Sequence, residues 1–218
     1  MHLMSSDANT KLVPRSKRWQ IAPAAPSSYV KQFTGLPRLL IQALYNRGVI
    51  GTDQVAAFLD PNPPLRNPLE PPKLKGLEKA VMRLRCAIQQ REPVAVYGDY
   101  DVDGVTATAL LVQTLTALGA DARPYIPDRV DEGYGLNIQA LHKLQEAGVR
   151  VVVTVDCGIR SPREVARGNE LGLDIIVTDH HSVGAELPPA WACINPKQDD
   201  CPYPFKELAG VGLAFKLA

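Results

Sequence analysis

Three short β-branched runs in this 218-residue chain each end in acidic or imidazole side chains. Val94-Ala95-Val96-Tyr97 leads into Gly98-Asp99-Tyr100-Asp101-Val102-Asp103-Gly104, Val151–Val155 into Asp156-Cys157-Gly158, and Asp174–Thr178 into Asp179-His180-His181. Carboxylates in this number select hard cations, Mg²⁺ or Mn²⁺, and imidazole shifts the preference toward Mn²⁺. Two such ions about 3.5–4 Å apart clamp a phosphodiester, supply hydroxide at neutral pH and stabilise the leaving oxygen. Asp99, Asp101 and Asp103 can be bent around a cation by a turn flanked by Gly98 and Gly104. Asp156, at the end of a buried valine run, is the natural bridging ligand. Its plain alternative is a cap for the next helix, a role that Ser161 already fills. His180 is a candidate ligand with Asp179 or a backbone carbonyl behind it fixing its tautomer, and His181 is placed to meet a scissile phosphate. A calcium loop is excluded, because the position six beyond Gly104 is Leu110 rather than an acid.

Phosphate chemistry also needs positive charge. Arg129 lies in the loop Asp128-Arg129-Val130-Asp131-Glu132-Gly133-Tyr134-Gly135, where bidentate Arg–phosphate contact and Tyr134 stacking suit a single-stranded nucleic acid. A plain surface turn is the alternative. Gly104 followed by Val105-Thr106-Ala107 reads as a helix start, whose N-terminus favours anions.

Continuous apolar strands separated by helical patterns imply a doubly wound, mostly parallel α/β sheet, with ligands in the crevice past the strand carboxyl ends. Helices are expected over Leu77–Ile88, after Gly104 up to Gly119, from the Asn137 cap to Gly148, and from a Ser161–Glu164 capping box to Gly172. Further strands are expected near Ala122–Ile126 and Trp191–Ile194. Ahead of this domain, 76–218, come a flexible basic arm over 1–28 and a small helical segment over 29–75. In that segment Leu36, Leu39, Leu40, Ala43 and Leu44 form a stripe that Gly48 ends, and Thr52 caps a second helix. Six prolines in Asp60–Pro72 make the end of the segment a linker. The final stretch, Leu208–Ala218, reads as the start of an apolar helix without cap or polar tail, which suggests a chain cut inside an element.

Composition is that of an ordinary globular chain, 45% apolar and 22% charged, with no run long enough to span a membrane and no secretory leader. A cytoplasmic location is expected. The net charge of +1 hides an asymmetry: residues 1–50 carry seven Lys or Arg against one acid, Asp7. Contact with a polyanion is compatible with that, as is a solvated tail. Four scattered cysteines without a CxxC pair give no support to zinc-ribbon or redox readings.

The strings GDYDVDGVTATALL, IPDRVDEGYGL, TVDCGI and VTDHH resemble the motifs of the DHH phosphoesterase superfamily. KRWQIAP, RGVIGTDQVAAFLDP, LPPAWACINPKQ and CPYPFKELAGVGLAFKL extend the resemblance, from about residue 17 onward, to its bacterial single-strand-specific DNA exonucleases. That resemblance implies Mn²⁺- or Mg²⁺-dependent, two-metal hydrolysis of single-stranded DNA from the 5′ end to mononucleotides, in DNA repair and recombination. It implies Asp101, Asp103 and His180 as metal ligands with Asp156 bridging. Asp99 would belong to the catalytic cluster and His181 would lie by the scissile phosphate. Arg129 and the Glu132, Gly133, Tyr134, Gly135 loop would sit on substrate. A helicase and a single-strand-binding protein are the partners it suggests, and no membrane. It also implies a further aspartate ligand, the rest of the catalytic domain, a second substrate-binding domain and an OB fold past Ala218. The metal shell expected within these residues is therefore incomplete. Two other readings are a phosphodiesterase for short oligonucleotides or cyclic dinucleotides, and a catalytically incomplete nucleic-acid-binding fragment.

Overall fold

The computed structural model describes residues 20–60, 73–128, 130, 133 and 135–218. It divides into two compact units, 1–68 and 69–218. The first holds α1 (Ser27–Val30), α2 (Arg38–Asn46) and α3 (Thr52–Leu59) around Tyr29, Phe33, Ile41, Leu44 and Val55. Leu39 points to solvent, 83% exposed, because Ile41 faces the core and lies about 200° from it around the helix. Thr52 is the first helical residue and not the cap: Gly51 holds that position, and the Gln54 side chain accepts from the Gly51 and Ile50 amides. Of the arm expected over 1–28, residues 1–19 lie outside the described residues. The rest is tied to α2, where Gln42 accepts from the Ala25 amide and donates to the Pro23 carbonyl. Most of the proline-rich linker, 61–72, also lies outside the described residues.

The second unit opens with α4 (Leu77–Gln90) and β1 (Val94–Tyr97). There follow α5 (Val102–Ala117), β2 (Ala122–Tyr125), α6 (Ile138–Glu146), β3 (Val151–Val155), α7 (Pro162–Glu170), β4 (Asp174–Thr178), β5 (Ala192–Ile194) and α8 (Gly210–Leu217). The five strands are all parallel in the order β2-β1-β3-β4-β5. Alternate residues of each strand face opposite layers. Val94, Val96, Val151, Val153, Val155 and Ile176 pack under α4, α5 and α8; Ala95, Tyr97, Val152, Ile175 and Val177 pack under α6 and α7. This is the expected doubly wound sheet, and double-sided burial is why β1, β3 and β4 read as continuous apolar runs. β2 is the half-exposed edge strand, where Pro124 removes no essential ladder donor.

Chain order reverses between β1 and β3, since β1 is flanked by β2 on one side and β3 on the other. In such sheets the crevice past that switch point is where ligands bind. At the opposite end of the sheet, buried Arg83 of α4 pairs with Asp174 at the start of β4 and with Glu92 before β1, both at 2.6 Å.

Candidate metal centre

Past β1 the chain makes a turn that only glycine permits at two positions. A Cβ on Gly104 would lie 2.5–2.7 Å from the Asp99 backbone, and one on Gly98 would overlap the Thr108 hydroxyl. Neither glycine has a positive φ, so close approach, not left-handed freedom, is their contribution. The turn buries Asp99, whose Oδ1 accepts from the Tyr100 amide at 2.8 Å. Helix α5 begins at Val102, earlier than the expected start after Gly104, because Asp101 is its N-cap and accepts from the Gly104 amide at 3.0 Å. Asp103 lies in the first turn. Its Oδ2 accepts from the Gly210 amide and its Oδ1 from the Val211 amide, each at 2.7 Å, at the N-terminus of α8.

Asp156 directly follows β3 with φ 62°, a conformation that costs a non-glycine residue of order 1–3 kcal/mol. Around it, Thr154 Oγ1 donates to the Cys157 carbonyl, and the Asp156 amide donates to the Thr178 carbonyl. The carboxylate is 2% exposed, and Oδ1 is a buried oxygen with no hydrogen-bond partner among the described residues. His180 Nε2 is only 3.0 Å from that oxygen, without hydrogen-bond alignment. Two atoms that each ligate one octahedral cation at about 2.1 Å stand roughly 3 Å apart, so this spacing fits a shared ion. Burial first, then the charges of Asp103 and Asp101, push the Asp156 carboxyl up to about 7, against an opposing effect of His181. An unneutralised carboxylate in this position is a liability for the fold, and a bound cation removes it.

The imidazoles divide their partners differently from the expectation. Asp179 does not back His180: its Oδ1 is 2.7 Å from His181 Nδ1 and accepts from the His181 amide, while its Oδ2 accepts from the Ile159 amide. Two-residue spacing folds the carboxylate back onto His181 in a tight turn, whereas His180 projects toward Asp156 and lies 3.6 Å from Asp103 Oδ2. The expected Ser161 capping box is also absent, since the Ser161 side chain makes no cap hydrogen bond. Asn137 does cap α6, accepting from the Ala140 amide at 2.7 Å.

Among the described residues, two groups of ligand atoms come together, each with members within 4.8 Å of one another: Asp99, Asp101 and Asp156, and Asp156, His180 and His181. Asp156 belongs to both. Asp103 touches the second through His180. Arg129, Glu132 and Tyr134 lie outside the described residues. Gly133 and Gly135 have φ near 80°, and the Gly135 carbonyl accepts from the buried Tyr97 hydroxyl, which itself accepts from Asn137 Nδ2. A pocket of about 480 Å³ opens beside His181 between Gly135, Arg160, Ser161 and Glu164. Sequence reasoning missed Tyr97, Gly210 and Val211; the glycine pair in Gly210-Val211-Gly212 was the available signal.

Residues 93–218 match the model of the DHH family, N-terminal domain. The chain is 52% identical over 149 residues to the single-stranded-DNA-specific exonuclease RecJ of Bacillus subtilis, covering 68% of this chain and 19% of that protein. With RecJ of Escherichia coli it shares 40% over 183 residues, 84% of this chain and 31% of the relative. It thus spans a third or less of these relatives' length. A crystal structure of exonuclease RecJ bound to manganese superposes with a TM-score of 0.61 at 42% identity, over 66% of this chain and 36% of that one. RecJ of Thermus thermophilus in complex with Mn²⁺ gives 0.61 at 33% identity, over 92% and 28%. The acidic switch-point crevice thus lies in the matched region, and the chain belongs to the DHH family, residues 93–218 matching its N-terminal domain.

Proposed function

We propose that this chain carries the metal-binding part of a RecJ-type exonuclease, which hydrolyses single-stranded DNA from the 5′ end to mononucleotides with two Mn²⁺ or Mg²⁺ ions. The observation that carries the reading is Asp156: a buried carboxylate, common to both ligand groups at the switch point of the sheet, whose Oδ1 has no hydrogen-bond partner among the described residues. Asp101, Asp103, Asp156 and His180 would hold the cations, with Asp156 between them and Asp99 completing the acidic cluster. When bound, the cations supply Lewis acidity, an activated water and countercharge for the phosphate.

The protein's own groups do the rest. Asp179 accepts from His181 Nδ1 and so fixes the ring, which leaves Nε2 as the nitrogen that can take up a proton or pass one to a phosphate oxygen. Tyr97 and Asn137 anchor the Gly135 end of the loop that carries Arg129, Glu132, Gly133 and Tyr134 to the strand. The similarity of the chain to two manganese-bound RecJ structures supports the choice of cation. A role in DNA repair and recombination, a cytoplasmic location and cooperation with a helicase and a single-strand-binding protein complete the reading. None of the described helices is long and apolar enough to cross a bilayer.

The test offers 5′-labelled single-stranded DNA, duplex DNA and a dinucleotide, with Mn²⁺, to this chain and to a form extended to the relatives' length. Mononucleotides released from single strands by the extended form, and abolished by Asp156→Ala, support the reading. Preference for the dinucleotide would overturn it.

A further inference from the structure

The Leu208–Gly212 stretch has no part in the chemistry described so far, yet it touches two of the acids. The amides of Gly210 and Val211 each donate to one oxygen of Asp103, more than a hundred residues away in the chain. Gly210 also lies directly against Asp156. A Cβ there would stand 2.7 Å from the Asp156 Cβ, 2.8 Å from Oδ1 and 2.9 Å from Cγ.

We propose that the N-terminus of α8 is a positioning element of the acidic centre, with Gly210 as its key residue. The inference rests on the divalent-cation reading above and adds residues to it. A carboxylate oxygen has two lone pairs, so each hydrogen bond from α8 leaves Asp103 one lone pair per oxygen for a cation. Two anchored oxygens fix the carboxylate plane that faces His180. The partial positive charge of a helix N-terminus also offsets the crowding of Asp103 with Asp156. The missing side chain at position 210 makes room for Asp156. Nothing else nearby can give way cheaply: the atoms a methyl group would meet are the carboxylate itself, on a short side chain whose backbone is held at φ 62°. Gly212, two residues further on, is a matched control. A Cβ there meets first the tip of Leu208, at 3.3 Å, a flexible chain that can yield.

Mn²⁺ binding, measured by electron paramagnetic resonance on the 218-residue chain, compares Gly210→Ala with Gly212→Ala, with circular dichroism and thermal unfolding as fold controls. Gly210→Ala is expected to lower Mn²⁺ affinity at least ten-fold with helix content kept, and Gly212→Ala to stay within two-fold. In the unsubstituted chain, the Gly210 and Val211 amide resonances are expected to shift on Mg²⁺ titration with the midpoint of binding. Equal affinity in Gly210→Ala, or an equal loss in Gly212→Ala, overturns the proposal. Should Gly210→Ala not fold, the amide resonances decide: movement supports the proposal and stationary peaks overturn it. Failure of the unsubstituted chain to bind Mn²⁺ would bring down the metal-centre reading and this proposal together.

Discussion

Replacing Asp156 by asparagine in the cation-free protein removes a charge from the place where the fold tolerates it least. The carboxyl is raised from 3.8 to about 7, roughly three pKa units, and each unit is worth about 1.4 kcal/mol. Ionising Asp156 within the fold therefore costs on the order of 4 kcal/mol. Because the folded state keeps a proton that the unfolded chain has already lost, stability falls as pH rises from about 4 to about 7 and levels off above. Asparagine has nearly the same shape and never ionises. In chelator at pH 8, Asp156→Asn should be the more stable protein by up to about 4 kcal/mol, or roughly 8–16 °C in Tm for a chain of this size. Near pH 4 the difference should vanish. Adding Mn²⁺ should invert the order, raising the Tm of the unsubstituted protein and leaving the variant unmoved. Thermal unfolding at both pH values, with and without Mn²⁺, is the assay. A variant no more stable at pH 8 in chelator, or a gap independent of pH, would refute the account of Asp156 as a strained, uncompensated carboxylate.

Gly104→Ala forces a methyl group into the Asp99 backbone, so it should cost about 2–3 kcal/mol or leave the chain unfolded, read as a lowered Tm. Arg83→Ala strips two carboxylates of their shared cation. About 2–3 kcal/mol is expected, since Glu92 and Asp174 keep partial access to water, with Mn²⁺ affinity unchanged. Asp179→Asn unsettles the His181 ring and should slow DNA hydrolysis by the extended form about 10- to 100-fold at constant Mn²⁺ affinity. Unaltered turnover in single-turnover assays would dismiss that role for the Asp179–His181 pair.

Most of the architecture was legible because its signals are local. Val/Ile runs bounded by acids marked β1, β3 and β4, and glycines that end helices at φ of 73–88° (Gly48, Gly119, Gly148 and Gly172) marked the stops. Caps were less legible. A Ser-Pro-Arg-Glu string carries the box signature at Ser161 without its hydrogen bond, while Asp101, read as a cation ligand, also caps α5. Leu39 and Ile41 lie on opposite faces of α2, and packing against Tyr29, Phe33 and Val55 decides which face is buried. The pairing of Asp179 with His181 rather than His180 depended on which way a turn closed.

The sequence by itself determined that three strand ends deliver acids and imidazoles to one edge of a parallel sheet. Alternation, apolar runs and flanking glycines are written in consecutive residues, and parallel strands share a carboxyl edge. Only the tertiary structure decided which of those groups meet. It put Asp156 in both ligand groups, placed His180 against it, and brought the amides of α8 onto Asp103. Contacts across a hundred residues of chain are set by packing of α8 against α5 and leave no mark in local spacing. For that reason the acids could be brought to one edge from the sequence, whereas Gly210 could be noticed there but not placed against them.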